Sequence, residues 1–578
     1  MRSLVLALVV VVTSVPALAR QAPRLRVQPY RFEAADGTRV DAELGELEVP
    51  EHRARPGSRT IRLRFVRFAA TSKRPGSPIV YLAGGPGGSG IAAARGSRFP
   101  LFMALRAHGD VIALDQRGTG LSEPSTRCTE RYVIPPGEPL RAASGGAAMA
   151  EAVRRCADRL RGQGLDPGGY TTRESAADLE ALRNALGAEK LTLWGISYGT
   201  HLALAALAAY GPRVDRLILA GVECLDCTDK LPSDQQRLLE RIAGLAASDP
   251  DVRARVPDLL GSIRALLGEL EARPKTVALA RPGRHGPAPI TVGALDLQVV
   301  LAGMLDGPES FAVLPDLVWR LERGDWTALA LLAADFRAGT APSLMAVAMD
   351  CASGASTARR RRIANERAGA LLGDAINLPF PHICSGVGVA DLGDAFRAPV
   401  RSPVPALVIS GTLDGRTPAR NGEELARGLR GARHLVVEGA GHSDPLFLSS
   451  PKILEAMEAF LRGERIAAAR VTLPPMRFVR PREVRALPGE VLERYVGAYR
   501  TGGGSVRRVA KAGDLLFTVR DGGEPRPLRP VSEREFFHEG SGSTVRFELG
   551  PDGAPRAMTS HAAADLPGER AERLPETP

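Results

Sequence analysis

Apolar and polar positions alternate over IRLRFVRF (61–68), the period-two pattern of an edge or half-buried strand, and the whole stretch from about 24 to 70 reads as strands. PIVYLA (78–83), DVIALD (110–115), KLTLWG (190–195) and RLILAG (216–221) are short unbroken apolar runs, which predicts strands buried on both faces. Between them ESAADLEALRNALG (174–187) has helical spacing and closes on a glycine, and a second helix is expected from Tyr198 to about Tyr210. Residues 123–172, with their Gly and Pro clusters, read as irregular. Strands alternating with helices predict an α/β architecture: a mostly parallel sheet with helices on both faces. From 224 to 403 the alternation stops and helical periodicity takes over, as in QQRLLERIAGL and VPDLLGSIRALLGELEA. The strand pattern returns at PALVIS (405–410) and HLVVEG (434–439), with a helix at 449–462.

The expected organisation is a core in two parts, 24–223 and 404–465, interrupted by a helical cap insertion, 224–403. Residues 466–489, rich in Pro and Arg, read as a linker. Residues 490–578 show short strands and Gly-rich turns, the mark of a small all-β domain able to fold alone. Several domains suit a chain of 578 residues.

GISYGT (195–200) places G-x-S-x-G between a strand and a helix. A sharp turn there lifts Ser197 above the carboxyl edge of the sheet, and the amides that open the helix favour negative charge. A serine nucleophile needs a base, and the base an orienting acid. His442, in GAGHSDP, follows the strand HLVVEG; Asp414, in GTLDGRTP, follows PALVIS. Three residues, each after a different strand at one sheet edge, form the candidate catalytic set Ser197, Asp414 and His442, in the chain order of nucleophile-elbow hydrolases. His201, one turn after Ser197 on the same helix, is assigned to packing. The oxyanion hole is expected from the N–H of Tyr198 and the N–H of Gly85 in LAGGPGGSG (82–90). That run lacks the G-K-[ST] ending of a phosphate loop. Asp115 and Arg117 of DQRGTG are expected to brace these loops. The chemistry calls for no metal and no organic cofactor.

Composition narrows the setting. The net charge is +11, but arginines spread along the chain supply almost all of the excess, so nucleic acid is not an expected partner. The densest run, Arg359 to Arg362, is expected to be a solvated helix face. Residues 1–19 read as a signal peptide: Arg2, the apolar LVLALVVVV, and Ala17-Leu18-Ala19 as the cleavage site. The apolar run is shorter than a membrane span and ends at Pro16. The protein is therefore expected to be exported (periplasmic or secreted), cleaved near Ala19 and without stable membrane insertion. Six cysteines in an exported chain favour disulfides. Proximity suggests Cys128 with Cys156, Cys351 with Cys384, and Cys224 with Cys227, although about 15 connectivities exist for six cysteines.

GGPGGSG, DQRGTGLS, GISYGT, GTLDGRTP and GAGHSDP, in this order, resemble the prolyl aminopeptidase and tripeptidyl aminopeptidase group of α/β-hydrolase serine peptidases, over roughly residues 30–465. The resemblance implies the α/β-hydrolase fold, with Ser197 as nucleophile, Asp414 as acid, His442 as base and a helical cap inserted before the acid-bearing strand. It also implies release of one or a few residues from peptides with a free amino terminus, whose ammonium is gripped by acidic groups. Gly84 and Glu223 are the candidate substrate contacts, with Asp226 and Asp350 as further candidates by location. Two features depart from the group. The loop reads LAGGPGG where single-residue prolyl enzymes usually carry His before the glycines. Around AASDPDVRARVPD there is no cysteine pair. The tail, LERYVGAYR to TVRFELG, resembles the small β domain appended to some bacterial β-lactamase-like hydrolases. A carboxylesterase or lipase-like enzyme on the same fold is the alternative function, and a non-catalytic binding protein the third.

Overall fold

The computed structural model describes residues 24–282, 286–520, 523–562 and 566–575; the expected signal peptide, 1–19, lies outside the described residues. Ten strands form one sheet. Leu25–Glu33, Arg39–Pro50 and Thr60–Phe68 make an antiparallel meander, and the last pairs antiparallel with Val111–Asp115. Beyond it the sheet is parallel, in the spatial order Val111–Asp115, Ile79–Leu82, Leu191–Ser197, Val214–Val222, Ala406–Gly411, Ala432–Glu438 and Arg470–Thr472. Thr60–Phe68 is thus an interior strand; its alternation reflects one deeply buried face rather than a free edge.

Successive side chains of a strand point to opposite faces. Leu193, Leu217 and Leu219 bury against the helices Thr172–Ala185 and Tyr198–Tyr210, while Trp194, Ile218 and Leu407 pack with Phe102, Phe447 and Phe460 on the other side. Each such side chain contributes about 1.5–3 kcal/mol on burial, which is why the parallel strands carry no polar alternation.

Residues 123–172, expected to be irregular, contain the 21-residue helix Ala142–Gly162. Two of its glycines pack closely: a Cβ on Gly146 would stand 2.4 Å from Cβ of His382, and one on Gly145 3.0 Å from Cδ1 of Leu140. The cap insertion is mainly helical and has its own apolar core, around Leu239, Ile263, Leu301, Leu317 and Leu329. It also holds an antiparallel pair, Lys275–Leu279 with Ala288–Val292.

The expected linker is part of the folded body. Arg470–Thr472 adds the tenth strand beside Ala432–Glu438, and Met476, Phe478 and Val479 pack on the cap core. A three-residue strand is too short to show a period, and the surrounding Pro and Arg hid it. The tail is a closed eight-stranded antiparallel barrel from Gly497–Thr501 to Glu569–Arg573, filled by Tyr495, Tyr499, Phe536 and Phe547. Buried ion pairs seat it on the cap: Arg320 Nη2 to Glu539 at 2.6 Å and Arg529 Nη2 to Asp325 at 2.9 Å. Removing one partner would strand a buried charge, at a cost of about 3–5 kcal/mol.

Candidate functional site

The strand Leu191–Ser197 runs directly into the helix Tyr198–Tyr210, and the turn between them forces Ser197 to φ 54° and ψ −126°. A non-glycine residue at positive φ is strained, and the neighbouring glycines make the turn possible. A Cβ on Gly195 would lie 2.5 Å from the Gly199 carbonyl oxygen, and one on Gly199 would lie 2.0 Å from that of Leu82. The serine sits at the floor of a cavity of about 700 Å³ whose walls include Gly84, Gly85, Glu223, Asp350 and His442.

His442 and Asp414 come from the loops after two neighbouring parallel strands, as expected. His442 Nδ1–H donates to Asp414 Oδ2 at 2.9 Å. The other carboxylate oxygen accepts the amides of Arg416 at 2.9 Å and Thr417 at 2.7 Å, and the Thr417 hydroxyl donates to Oδ2 at 2.7 Å. With Nδ1 holding the proton, Nε2 keeps a lone pair, the arrangement a general base needs. Burial opposes a charge on His442, but the Asp414 charge and hydrogen bond, joined by Asp306, outweigh it and raise the imidazole pKa.

The glycine-rich loop stands against the serine. A Cβ on Gly84 would come within 3.1 Å of Ser197 Cβ. Gly85 has φ 120°, and a Cβ there would meet the amide nitrogen of Gly87 at 2.8 Å, so glycine alone fits. The Tyr198 amide opens the helix behind the serine, and its side chain is buried, its hydroxyl 3.1 Å from Thr172 Oγ1. Asp115 braces the loop by accepting from Ser89 Oγ at 2.5 Å and from the amides of Ile91 and Leu121. Arg117, fully buried, grips Asp178 at 2.7 Å.

On another wall Glu223 and Asp350 line the cavity together with Asp229 and Lys230. Lys230 Nζ donates to Glu223 Oε2 at 2.8 Å and to the Cys227 carbonyl at 3.0 Å. Burial, reinforced by the Glu223 charge, holds the Asp350 carboxyl well above its ordinary pKa; burial also raises Asp229. Among the described residues neither of these two side chains has a hydrogen-bond or ion-pair partner, so the wall presents carboxyls with nothing to hold. Disulfides stand next to both ends of it: Cys224–Cys227 directly after Glu223, and Cys351–Cys384 directly after Asp350. Cys128–Cys156 closes the third pair, so the proximity pairing is the one observed.

Asp226 is elsewhere. It accepts from the amide and hydroxyl of Ser356, which open the helix Thr357–Glu366, and it does not line the cavity. On that helix Arg359 turns inward, donating to the Asp229 carbonyl at 2.6 Å, whereas Arg360 to Arg362 are exposed. His201 is buried, its Nδ1–H donating to the Cys224 carbonyl at 3.1 Å and Nε2 accepting from Ser353 Oγ at 3.1 Å. Burial lowers its pKa and keeps it neutral.

Asp229, Lys230, Thr417 and Arg98 were not singled out from the sequence. Arg98 donates to Asp444 Oδ1 at 2.7 Å and to Ser443 Oγ at 2.9 Å, and Ser443, at φ 71°, directly follows His442. A charged residue three positions after a C-x-x-C was a readable cue for Lys230. Arg98 gave none, since Ser443 and Asp444 lie more than 340 residues away.

Two family models match the chain: an alpha/beta hydrolase fold over residues 77–270 and a TAP-like protein over 374–471. The first span contains Ser197 and the second contains Asp414 and His442. Serine protease Hip1 of Mycobacterium tuberculosis is 29% identical over 463 residues, covering 73% of this chain and 85% of that protein. The tripeptidyl aminopeptidase of Streptomyces lividans is 26% identical over 481 residues, covering 76% and 85%. That of Streptomyces coelicolor is 30% identical over 198 residues, covering 31% and 35%. The chain has the α/β-hydrolase fold, and it is similar to this serine protease and these tripeptidyl aminopeptidases.

Proposed function

We propose that the protein is an exported serine peptidase that removes one or a few residues from peptides with a free amino terminus. One observation carries the reading: a strained serine, an Asp-oriented histidine and an acidic wall, on which Asp229 and Asp350 have no side-chain partner among the described residues, face the same cavity. Ser197 Oγ attacks the scissile carbonyl while His442 Nε2 takes its proton. Asp414 holds the tautomer and stabilises the imidazolium. The developing oxyanion rests on the amides of Tyr198 and Gly85, where charge forms beside a helix N-terminus. His442 then protonates the leaving amine, and the acyl group stays on Ser197. A water deprotonated by His442 attacks the ester, and Ser197 leaves with its proton restored.

The acidic wall sets which acyl groups enter. A substrate ammonium placed beside Asp350 and Asp229 supplies the partner these two carboxyls lack, next to Glu223, which already holds Lys230. Gly84 offers bare backbone beside the serine. The peptidase relatives support the amide-cleaving reading, and the three disulfides support an oxidising compartment.

A panel of aminoacyl and tripeptidyl arylamides, with free and with blocked amino termini, is set against short acyl esters. Turnover of free-terminus amides and poor use of the blocked ones is the expected result. Ester turnover with no amide turnover would make the protein a carboxylesterase. No turnover, together with no labelling of Ser197 by a fluorophosphonate, would leave only a binding role.

A further inference from the structure

His442 borders two clefts. Besides the cavity that holds Ser197, a second opening of about 640 Å³ shares Asp306, His442, Ser443 and Asp444 with it. The second cleft contains neither Ser197 nor any of the carboxyls of the Glu223–Asp350 wall. Its walls are Gly307, Pro308 and Glu309 from the cap and Leu473, Pro474 and Met476 from the segment that leads to the barrel. Two of the three acidic residues that line it are already matched: Arg416 Nε stands 3.1 Å from Asp306, and Arg98 2.7 Å from Asp444, while Glu309 is the third. What remains, besides Glu309, Ser310 and Ser449, is the apolar surface of Pro308, Pro445, Leu473, Pro474 and Met476, with glycine backbone.

The two sides are held firmly. The His442 amide donates to the Asp306 carbonyl at 3.1 Å, and a Cβ on Gly441 would stand 2.5 Å from Pro308 Cδ. The Val479 amide donates to the Ala312 carbonyl at 2.8 Å, pinning the barrel-bound segment to the cap. The cleft is therefore formed before any substrate arrives.

We propose that this second cleft is the subsite for the leaving chain: it holds the extended polypeptide on the carboxyl side of the scissile bond, with an apolar side chain against Leu473 and Met476. The proposal rests on the peptidase reading. Its chemical reason is the proton transfer. The imidazolium of His442 must reach the nitrogen of the departing amine, so that chain lies along His442. The acyl part lies on the other side, toward the carboxyl wall. A chain continuing past His442 enters the second cleft directly. The segment after the tenth strand then has a task beyond connecting the barrel, because it forms one wall of the substrate path.

The test compares peptides that share one acyl part and carry leaving chains of one to six residues with the matching arylamide. The full chain is used. We expect kcat/KM to rise with the leaving chain over the first few residues, more steeply when these are apolar, by about tenfold for one well-buried side chain. Met476→Trp and Leu473→Trp, which fill the cleft, should lower the ratio of peptide to arylamide kcat/KM about tenfold; arylamide turnover reports that each variant is folded. A flat length dependence, or an equal fall for both substrates, overturns the subsite. Absence of arylamide turnover in the unaltered protein would instead overturn the peptidase reading.

Discussion

The rim that carries Ser197, Asp414 and His442 faces the same cavity as the wall that carries Glu223, Asp229 and Asp350, yet the two are built by different means. Ser197 ends a parallel strand, Asp414 and His442 sit in the loops just after two others, and local backbone geometry helps to place them: a glycine-flanked turn for Ser197, two backbone amides and a threonine hydroxyl around Asp414. The wall has no such frame. Asp350 belongs to the helix Leu344–Ser353, more than a hundred residues after Glu223, and the two segments are tied by hydrogen bonds from Ser356 to Asp226 and from Arg359 to the Asp229 carbonyl. In the proposed reaction, backbone fixes the reacting groups, while side-chain packing, mostly in an insertion, fixes what they meet. The reaction can therefore be kept while the cap is altered, and substrate choice should respond to cap substitutions that leave the chemistry intact.

The strongest way to break this division is at the rim. Ser197→Ala should lower kcat by about five to six orders of magnitude with an unchanged thermal midpoint. Asp414→Asn should lower it about ten thousandfold by spoiling the histidine tautomer. Retained turnover in either would remove that residue from the chemistry. At the wall the effect should be smaller and differently placed. Asp350→Asn and Glu223→Gln should each raise KM about tenfold to a hundredfold for free amino termini, the range of a charge-assisted hydrogen bond, while kcat changes little. An equal effect on blocked substrates would contradict the ammonium role.

The two regions should also separate by pH. His442 must be neutral to act as base. Its raised pKa means that kcat falls with acidification from a pH above the ordinary histidine value near 6.5. Asp350 is neutral below its raised pKa and attracts an ammonium only above it, so KM for free termini should improve as pH rises, until the substrate amine itself loses its proton near pH ~8. One common profile for kcat and KM would erase the distinction. The smallest expected effect is at the joint between regions: Arg98→Lys loses the fork that holds Ser443 and Asp444 and should cost about threefold to tenfold in kcat, with KM unmoved.

Sequence alone determined what local pattern can carry. Unbroken apolar runs announced strands buried on both faces, and the residues after them announced the candidate set Ser197, Asp414 and His442. The serine, acid and base each sit in a short glycine-bearing turn behind such a run. The barrel was legible as short strands between Gly-rich turns. Tertiary structure decided the rest. Residues 142–162 became a helix because packing against His382 suits glycines that local propensity disfavours. Arg470–Thr472 became a strand because the sheet offered an open parallel edge. Asp229 and Asp350 became neighbours of one cavity because the cap folded back over the rim. A turn is specified by its own few residues, whereas a wall assembled from distant segments exists only once the core that presses them together has formed.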